Sequence, residues 1–256
     1  MSFYYIFQDG RIVLKKDGSI PLKEELPRWL TEALENSGYL DKNEKEGDRW
    51  GELPPGRALP EGYAAMERRG CWTAVGEEQF FRIGKAFHLM DWQRLHKFCG
   101  RCGARNSFDP NEGAMKCAAC GELFYPVISP AVIVSVEKEG KILLGHGVNF
   151  PAGRYSVLAG FVEPGESIEE CVAREIYEES KIRVKNIKYF ASQPWPFPRS
   201  LMLGLTAEWE SGEISPDKTE VSDVRWFAPD EIPDYYRGVS ISARLIEDFI
   251  RRHTKY

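Results

Sequence analysis

The sequence predicts an α/β sandwich, preceded by a cysteine-held module and a small mixed α+β domain with a sheet. Three observations carry this. Dense β-branched runs such as Ala131–Val136 recur after Pro130. Helical patterns alternate with them, the last being an amphipathic segment at Ser240–Arg252. Four closely paired cysteines fill residues 99 to 125, a stretch with few apolar residues. Strands and helices in mixed order, joined by a long glycine-rich connection, fit a two-layer or three-layer packing around one sheet. The expected divisions are residues 1–95, 96–126 and 127–256.

In the first division, Tyr4–Phe7 and Arg11–Leu14 flank Asp9-Gly10 and predict a hairpin. Pro27–Leu34 fits a short helix. Asn43–Gly62 is charged and rich in Gly and Pro, which predicts a loop. Phe80–Ile83 reads as a strand and Lys85–His96 as a helix. In the last division, Ala131–Val136 and Lys141–Leu144 form a hairpin, and Val157–Ala159 leads into a glycine turn. Ile182–Phe190, Ser200–Trp209 and Val224–Phe227 are further strands. The closing helix sets Ile241, Leu245, Ile246 and Phe249 on one apolar side.

Composition narrows the function. The chain is 43% apolar, with 34 Lys plus Arg against 39 Asp plus Glu, a formal charge of -5. That argues against a bulk, sequence-blind nucleic-acid binder, while leaving room for an RNA end entering a cleft. There is no apolar run of membrane-spanning length. The N-terminus lacks the basic-then-apolar layout of a signal peptide. Paired cysteines favour metal over disulfides and a reducing compartment, so a cytoplasmic location is expected.

Residues 160–182 read GFVEPGESIEECVAREIYEESKI. Pro164-Gly165 breaks the preceding strand, and Ser167 with Glu170 fits a capping box. Ile168, Val172 and Ile176 make an apolar stripe. Glu175, Glu178 and Glu179 border it, three and four residues apart on one side of the helix. Arg174 is placed to pair with a carboxylate, and Glu166 lies at the turn before the helix. Like charges so packed oppose folding unless cations offset them. Oxygen ligands of this kind suit Mg²⁺ or Mn²⁺. A solvated acidic helix is the blander reading of the spacing alone.

Cys99-x2-Cys102 and Cys117-x2-Cys120 flank fourteen residues. Two such knuckles make a closed tetrahedral Zn²⁺ site, structural because no coordination position is left open. Gly100, Gly103 and Gly121 fit its turns. Disulfides, unrelated thiols or a nucleic-acid-binding ribbon are the alternatives; Arg94, His96, Lys97, Arg101, Arg105 and Lys116 supply local positive charge, but no aromatic ladder accompanies them. Cys71 and Cys171 read as ordinary thiols. Further on, Gln193-Pro194-Trp195-Pro196-Phe197-Pro198-Arg199-Ser200 is a proline-stiffened loop. It presents Trp195 and Phe197 with little freedom left to lose, suited either to stacking on a flat ring or to packing.

The pattern Gly160, Glu166, Arg174-Glu175-Ile176, Glu178-Glu179 resembles the signature box of the Nudix hydrolases. HKFCGRCG at 96–103, YPVISP at 125–130, SQPWPFP at 192–198 and ARLIED at 243–248 resemble that family's NADH pyrophosphatase branch. The resemblance implies an α/β/α sandwich with a mixed sheet behind a zinc ribbon, and hydrolysis of the pyrophosphate bond of NADH or NAD⁺. Removal of an NAD cap from RNA 5′ ends is an alternative main role, and a non-catalytic zinc-ribbon binding module another. It implies that Glu175, Glu178, Glu179, Glu220 and the Ala159 carbonyl hold the catalytic Mg²⁺ or Mn²⁺, with Glu178 as first choice of general base and Glu179 as second. It places Glu112, Tyr125, Phe161, the stretch from Gln193 to Ser200, and Ser242 against substrate, together with either Arg68 or Arg69. It also implies a homodimer. One position departs from the box: Lys181 stands where a glycine ends the helix in left-handed conformation, at a cost of roughly 1 kcal/mol.

Overall fold

The structure is a computed structural model and describes residues 2–34, 36–41 and 47–254. It falls into two compact units, Met1–Val127 with Pro196–Arg199, and Ile128–Trp195 with Ser200–Tyr256.

The first unit opens with the expected hairpin, β1 (Tyr4–Gln8) and β2 (Arg11–Lys15). Its turn residues Asp9 and Gly10 both take positive φ, 49° and 75°, the geometry that suits a twisted two-residue turn. A one-turn helix, α1 (Arg28–Glu32), follows. Then come β3 (Asn36–Tyr39), β4 (Arg49–Glu52) and β5 (Tyr63–Met66), giving a sheet ordered β3-β4-β1-β2-β5. Tyr4, Ile6, Val13, Leu30 and Leu53 pack as its core.

Two expectations fail here. The predicted loop over Asn43–Gly62 contains β4, which pairs parallel with β1; its residues 43–46 lie outside the described residues. Gly51 looked like a breaker, yet it sits in the strand because a β-carbon there would meet the Leu34 and Tyr4 side chains at 2.7 and 3.1 Å. Phe80–Ile83, predicted as a strand, lies inside α2 (Trp72–Leu95). Phe80, Ile83, Ala86 and Met90 are buried at helical spacing, so packing overrides the strand preference of the aromatic run. Gly76, at φ 79°, kinks α2 just after its first turn.

The cysteine module is a three-stranded sheet, β6 (Asn106–Asp109), β7 (Ala114–Cys117) and β8 (Leu123–Phe124), in that order. Gly103 and Gly121 turn the two knuckles at φ 75° each; Gly100 has no such requirement.

The second unit is built on β9 (Ser129–Lys138), β10 (Lys141–Gly147), β11 (Leu158–Phe161), β12 (Arg183–Trp195), β13 (Ser200–Ser211) and β14 (Val221–Phe227). The order is β12-β13-β9-β10-β14, with β11 also on β9. β13 runs parallel to β9 and the other pairs are antiparallel, so the sheet is mixed. Side chains alternate across it. Val132, Val134, Val136 and Leu143 pack with Cys171, Val172 and Ile176 of α3 (Ile168–Ser180). Ile133, Ile142 and Leu144 pack with Ile241, Leu245, Ile246 and Phe249 of α4 (Ile241–His253). One helix on each face completes an α/β/α sandwich.

Candidate active site and metal centre

The capping box forms as expected. Ser167 Oγ accepts from the Glu170 amide at 3.2 Å, and the Glu170 carboxylate accepts from the Ser167 amide at 2.7 Å. This fixes where α3 starts and hence which turn carries the carboxylates. At its other end Lys181 takes the left-handed cap conformation, φ 63° and ψ 12°, where the sequence expected a glycine.

Arg174 organises the acidic side of α3. Its guanidinium donates to Glu166 at 2.5 and 2.9 Å, to Glu175 at 2.8 Å, to Glu178 at 3.1 Å and to the Phe161 carbonyl at 2.9 Å. These bonds, with the Glu163 amide, hold the Glu166 carboxyl down at about 2. Glu175 lies against the chain at Gly160, where any β-carbon would come within 1.8 Å of its carboxyl carbon. Burial pushes the Glu175 carboxyl up, against the pull of Arg174.

Glu179 is the most perturbed of the group. Its side chain is buried, and Oε2 has no hydrogen-bond partner. Burial first, then the charges of Glu175, Glu220, Asp217 and Glu178, push its carboxyl up to about 8. An unpartnered buried carboxylate oxygen facing further carboxylates is costly unless a proton or a cation completes it. The donor set is all oxygen, so it fits a hard divalent ion. Glu178 is exposed on the same helix. Glu220 is exposed on the loop before β14, and Ala159 lies in β11 opposite Ile133. The carboxylate oxygens are not drawn into one tight cluster; among the described residues only the four cysteine sulfurs are.

Those sulfurs all lie within 4.8 Å of one another. Cys99 to Cys120, Cys102 to Cys117 and Cys102 to Cys120 are 3.7, 3.5 and 3.6 Å apart. A tetrahedron with Zn–S bonds of about 2.3 Å has edges of about 3.8 Å, so the cage matches zinc closely. Backbone amides of Arg101 and Cys120 point at the Cys99 and Cys117 sulfurs, both at 3.4 Å. The Cys120 amide is the main cause holding the Cys117 thiol down at about 6.

The residues expected against substrate are placed differently from one another. Phe161 is 52% exposed, its ring available for stacking while its carbonyl is tied to Arg174. Tyr125 and Glu112, in the first unit, are exposed and bonded to each other at 3.1 Å. Ser242, at the start of α4, shares a 2.8 Å hydrogen bond with Ser156.

The proline-rich stretch is less of a loop than expected. Gln193, Pro194 and Trp195 end β12, paired with Met202, Leu201 and Ser200, and only Pro196–Arg199 connect the strands. Pro194 is accommodated because β12 is an edge strand. Gln193 is buried, its amide donating to the Val239 carbonyl at 2.6 Å and accepting from the Ile241 amide at 2.8 Å. Its side chain is therefore committed to the start of α4. Ser200 is also buried. Within the first unit, Pro196 packs on Gly84, and the Phe197 ring lies 6.2 Å from Phe80 and near the Arg68 and Arg69 guanidiniums, at 5.1 and 4.9 Å. Pro198 is exposed and Arg199 half-buried. Arg68 is bound to the Gly10 and Pro196 carbonyls and stacked on Phe87, whereas Arg69 is exposed. Asp217 was not singled out from the sequence; its only signal there is its place three residues before Glu220.

Comparison with known proteins agrees with this geometry. The NUDIX domain profile matches residues 127–249, and the NADH pyrophosphatase zinc ribbon domain profile matches residues 94–125. A protein named NAD-capped RNA hydrolase NudC from Vibrio parahaemolyticus is 45% identical over 68% of this chain and 67% of its own length. One of the same name from Pseudomonas aeruginosa is 44% identical over 69% of this chain and 64% of its own length. The chain thus matches about two thirds of these relatives. A crystal structure of a NUDIX hydrolase from Nitrosomonas europaea superposes with a TM-score of 0.53 at 26% identity, over 61% of this chain and 91% of that one. The fold and its acidic helix are those of a pyrophosphate-cleaving hydrolase class. The chain belongs to the Nudix hydrolase family and carries the zinc ribbon of its NADH pyrophosphatase members. No helix among the described residues is long and apolar enough to cross a membrane.

Proposed function

We propose that this protein hydrolyses the pyrophosphate bond of NADH or NAD⁺, releasing AMP and nicotinamide mononucleotide, reduced or oxidised. The observation that carries the reading is Glu179: a buried carboxylate oxygen without a partner, facing Glu175, Glu178 and Glu220. Glu175, Glu178, Glu179, Glu220 and the Ala159 carbonyl would hold Mg²⁺ or Mn²⁺, which would supply charge neutralisation for a diphosphate and a more acidic water.

The chain's own residues do the rest. Arg174, anchored on Glu166 through Nε and Nη2, holds Glu175 and Glu178 in orientation through Nη1. Glu178 is the first candidate to accept the proton of the attacking water, being exposed at the helix surface, and Glu179 is the second. Attack in line on one phosphorus expels the other phosphate. Phe161 offers an exposed aromatic face for a base. Zinc at Cys99, Cys102, Cys117 and Cys120 is structural, and we propose a homodimeric, cytoplasmic enzyme.

Removal of an NAD cap from RNA is the second reading, favoured by the names of the relatives. Product analysis with NADH, NAD⁺, ADP-ribose and NAD-capped RNA, with Mg²⁺ or Mn²⁺, tests both. AMP and the mononucleotide from free dinucleotide support the first. Faster release of mononucleotide from capped RNA makes the second the main role. No cleavage of any NAD-linked substrate overturns both.

A further inference from the structure

Glu220 is presented in an unusual way. It stands in the connection between β13 and β14, where no helix or strand fixes a side chain. Its carboxylate has no hydrogen-bond or ion-pair partner among the described residues, yet its charge reaches both Glu175 and Glu179. Its backbone, by contrast, is bound on both sides. The Glu220 carbonyl accepts from the Val148 amide at 3.0 Å. The Glu220 amide donates to the Asp217 carboxylate, at 3.2 Å to Oδ1 and 3.3 Å to Oδ2.

Asp217 does more than bind one amide. Oδ1 also accepts from the Thr219 amide at 3.2 Å and the Val221 amide at 2.9 Å, and Oδ2 accepts from the Thr219 hydroxyl at 2.5 Å. One carboxylate thus gathers three successive amides around Glu220. Lys218 closes the turn at φ 71°, its amide donating to the Val221 carbonyl at 3.1 Å. A carboxylate that collects the amides of a short loop removes the freedom the loop would otherwise lose on binding a ligand.

We propose that Asp217 is a positioning residue that holds the Glu220 backbone, so that the Glu220 carboxylate meets the cation shared with the α3 carboxylates. The proposal rests on the reading of Glu220 as a metal ligand. Asp217 does not itself bind the cation: Oδ1 and Oδ2 are both occupied by the loop's own donors.

The test compares Asp217→Ala, Asp217→Asn and Glu220→Gln in the full-length, zinc-loaded protein. Binding of Mn²⁺ alone is followed by the paramagnetic signal of the free ion, beside thermal melting without Mn²⁺. Residues that orient metal ligands typically contribute about 10-fold to 100-fold in affinity, so Asp217→Ala is expected to weaken Mn²⁺ binding by about 10-fold or more. Asp217→Asn keeps a carbonyl oxygen for the three amides and is expected to recover most of that loss. The double variant Asp217→Ala/Glu220→Gln is expected to bind no worse than Glu220→Gln alone, since one residue acts through the other. Additive losses, or an Asn variant as weak as the Ala variant, overturn positioning in favour of direct ligation. Unchanged Mn²⁺ affinity in Asp217→Ala beside a weakened Glu220→Gln overturns this proposal alone. Unchanged affinity in Glu220→Gln overturns the ligand reading and this proposal with it. Should Asp217→Ala fail to fold, Asp217→Ser, whose shorter side chain cannot gather all three amides, replaces it under the same criteria.

Discussion

The Glu175 carboxyl group lies directly against the α-carbon of Gly160, in the space a side chain at that position would fill. A β-carbon there would be 2.1 Å from both carboxylate oxygens. The glycine of β11 is therefore needed for volume, not for backbone conformation. Gly160→Ala should displace the end of a flexible side chain and leave the fold intact. Turnover is expected to drop roughly 10²-fold, the scale of losing one group that stabilises developing charge. Steady-state kinetics beside a melting curve checks this; wild-type turnover would show that Glu175 works from another position.

Glu179 links the site to stability. Its folded-state carboxyl sits at about 8, above the ordinary 4.5. Between those values the folded chain binds a proton that the unfolded chain does not. Its contribution is thus fully present below about pH 4.5 and is lost as pH rises through about 8, by up to roughly 1.4 kcal/mol per unit. Protein free of Mg²⁺ and Mn²⁺ should melt at lower temperature at pH 9 than at pH 6, and Glu179→Gln should flatten the difference. Adding Mg²⁺ should restore the wild type at pH 9 but not the variant. Parallel pH profiles for wild type and variant would rule out Glu179 as the source.

The cysteine cage makes a separate prediction. Protein purified without added zinc should hold close to one equivalent, retained while Mg²⁺ is removed with a weak chelator. Cys117→Ser should lose it and unfold the β6–β8 sheet, because that short sheet depends on the metal for folding energy. Elemental analysis and thiol titration decide; four freely reactive thiols with no zinc would refute the cage.

Lys181 carries a conformation that glycine adopts without steric cost. Lys181→Gly should stabilise the protein by about 0.5–1 kcal/mol, since the left-handed region is strained for any residue with a β-carbon. Its amine hydrogen-bonds the Glu178 carbonyl at 3.2 Å and lies 5.3 Å from the centre of the Tyr177 ring, touching no carboxylate of the candidate site, so turnover should stay unchanged. Denaturant unfolding measures the first expectation and kcat the second.

What could be read in advance was local. Ser167 with Glu170 marks its own helix start, Glu139-Gly140 marks its own hairpin, and two cysteine pairs mark their own cage. What could not be read depends on partners far along the chain. Gly51 and Gly84 look like breakers until Leu34, Tyr4 and Pro196 are seen filling the space beside them. The bonds of the Gln193 side chain to the carbonyl and amide at the start of α4 could not be read from its own neighbourhood, since Val239 and Ile241 lie more than forty residues on. Phe80 and Phe81 favour a strand over four residues and a helix only over a span long enough to include Met90.

Arg174 sets the two candidate metal sites apart. The thiols of the ribbon face one another, the knuckle amides and the exposed Arg101 side chain, so that module is expected to fold together with its ion. The acidic side of α3 is born with a resident counter-ion, a guanidinium shared among Glu166, Glu175 and Glu178. The nascent hydrolase domain can therefore mature before any divalent ion arrives. Arrival of an ion would then change the neighbours of Glu175 and Glu178 and complete Glu179, whose Oε2 has no hydrogen-bond partner, so occupancy of this site is expected to add stability at high pH without being a condition of folding.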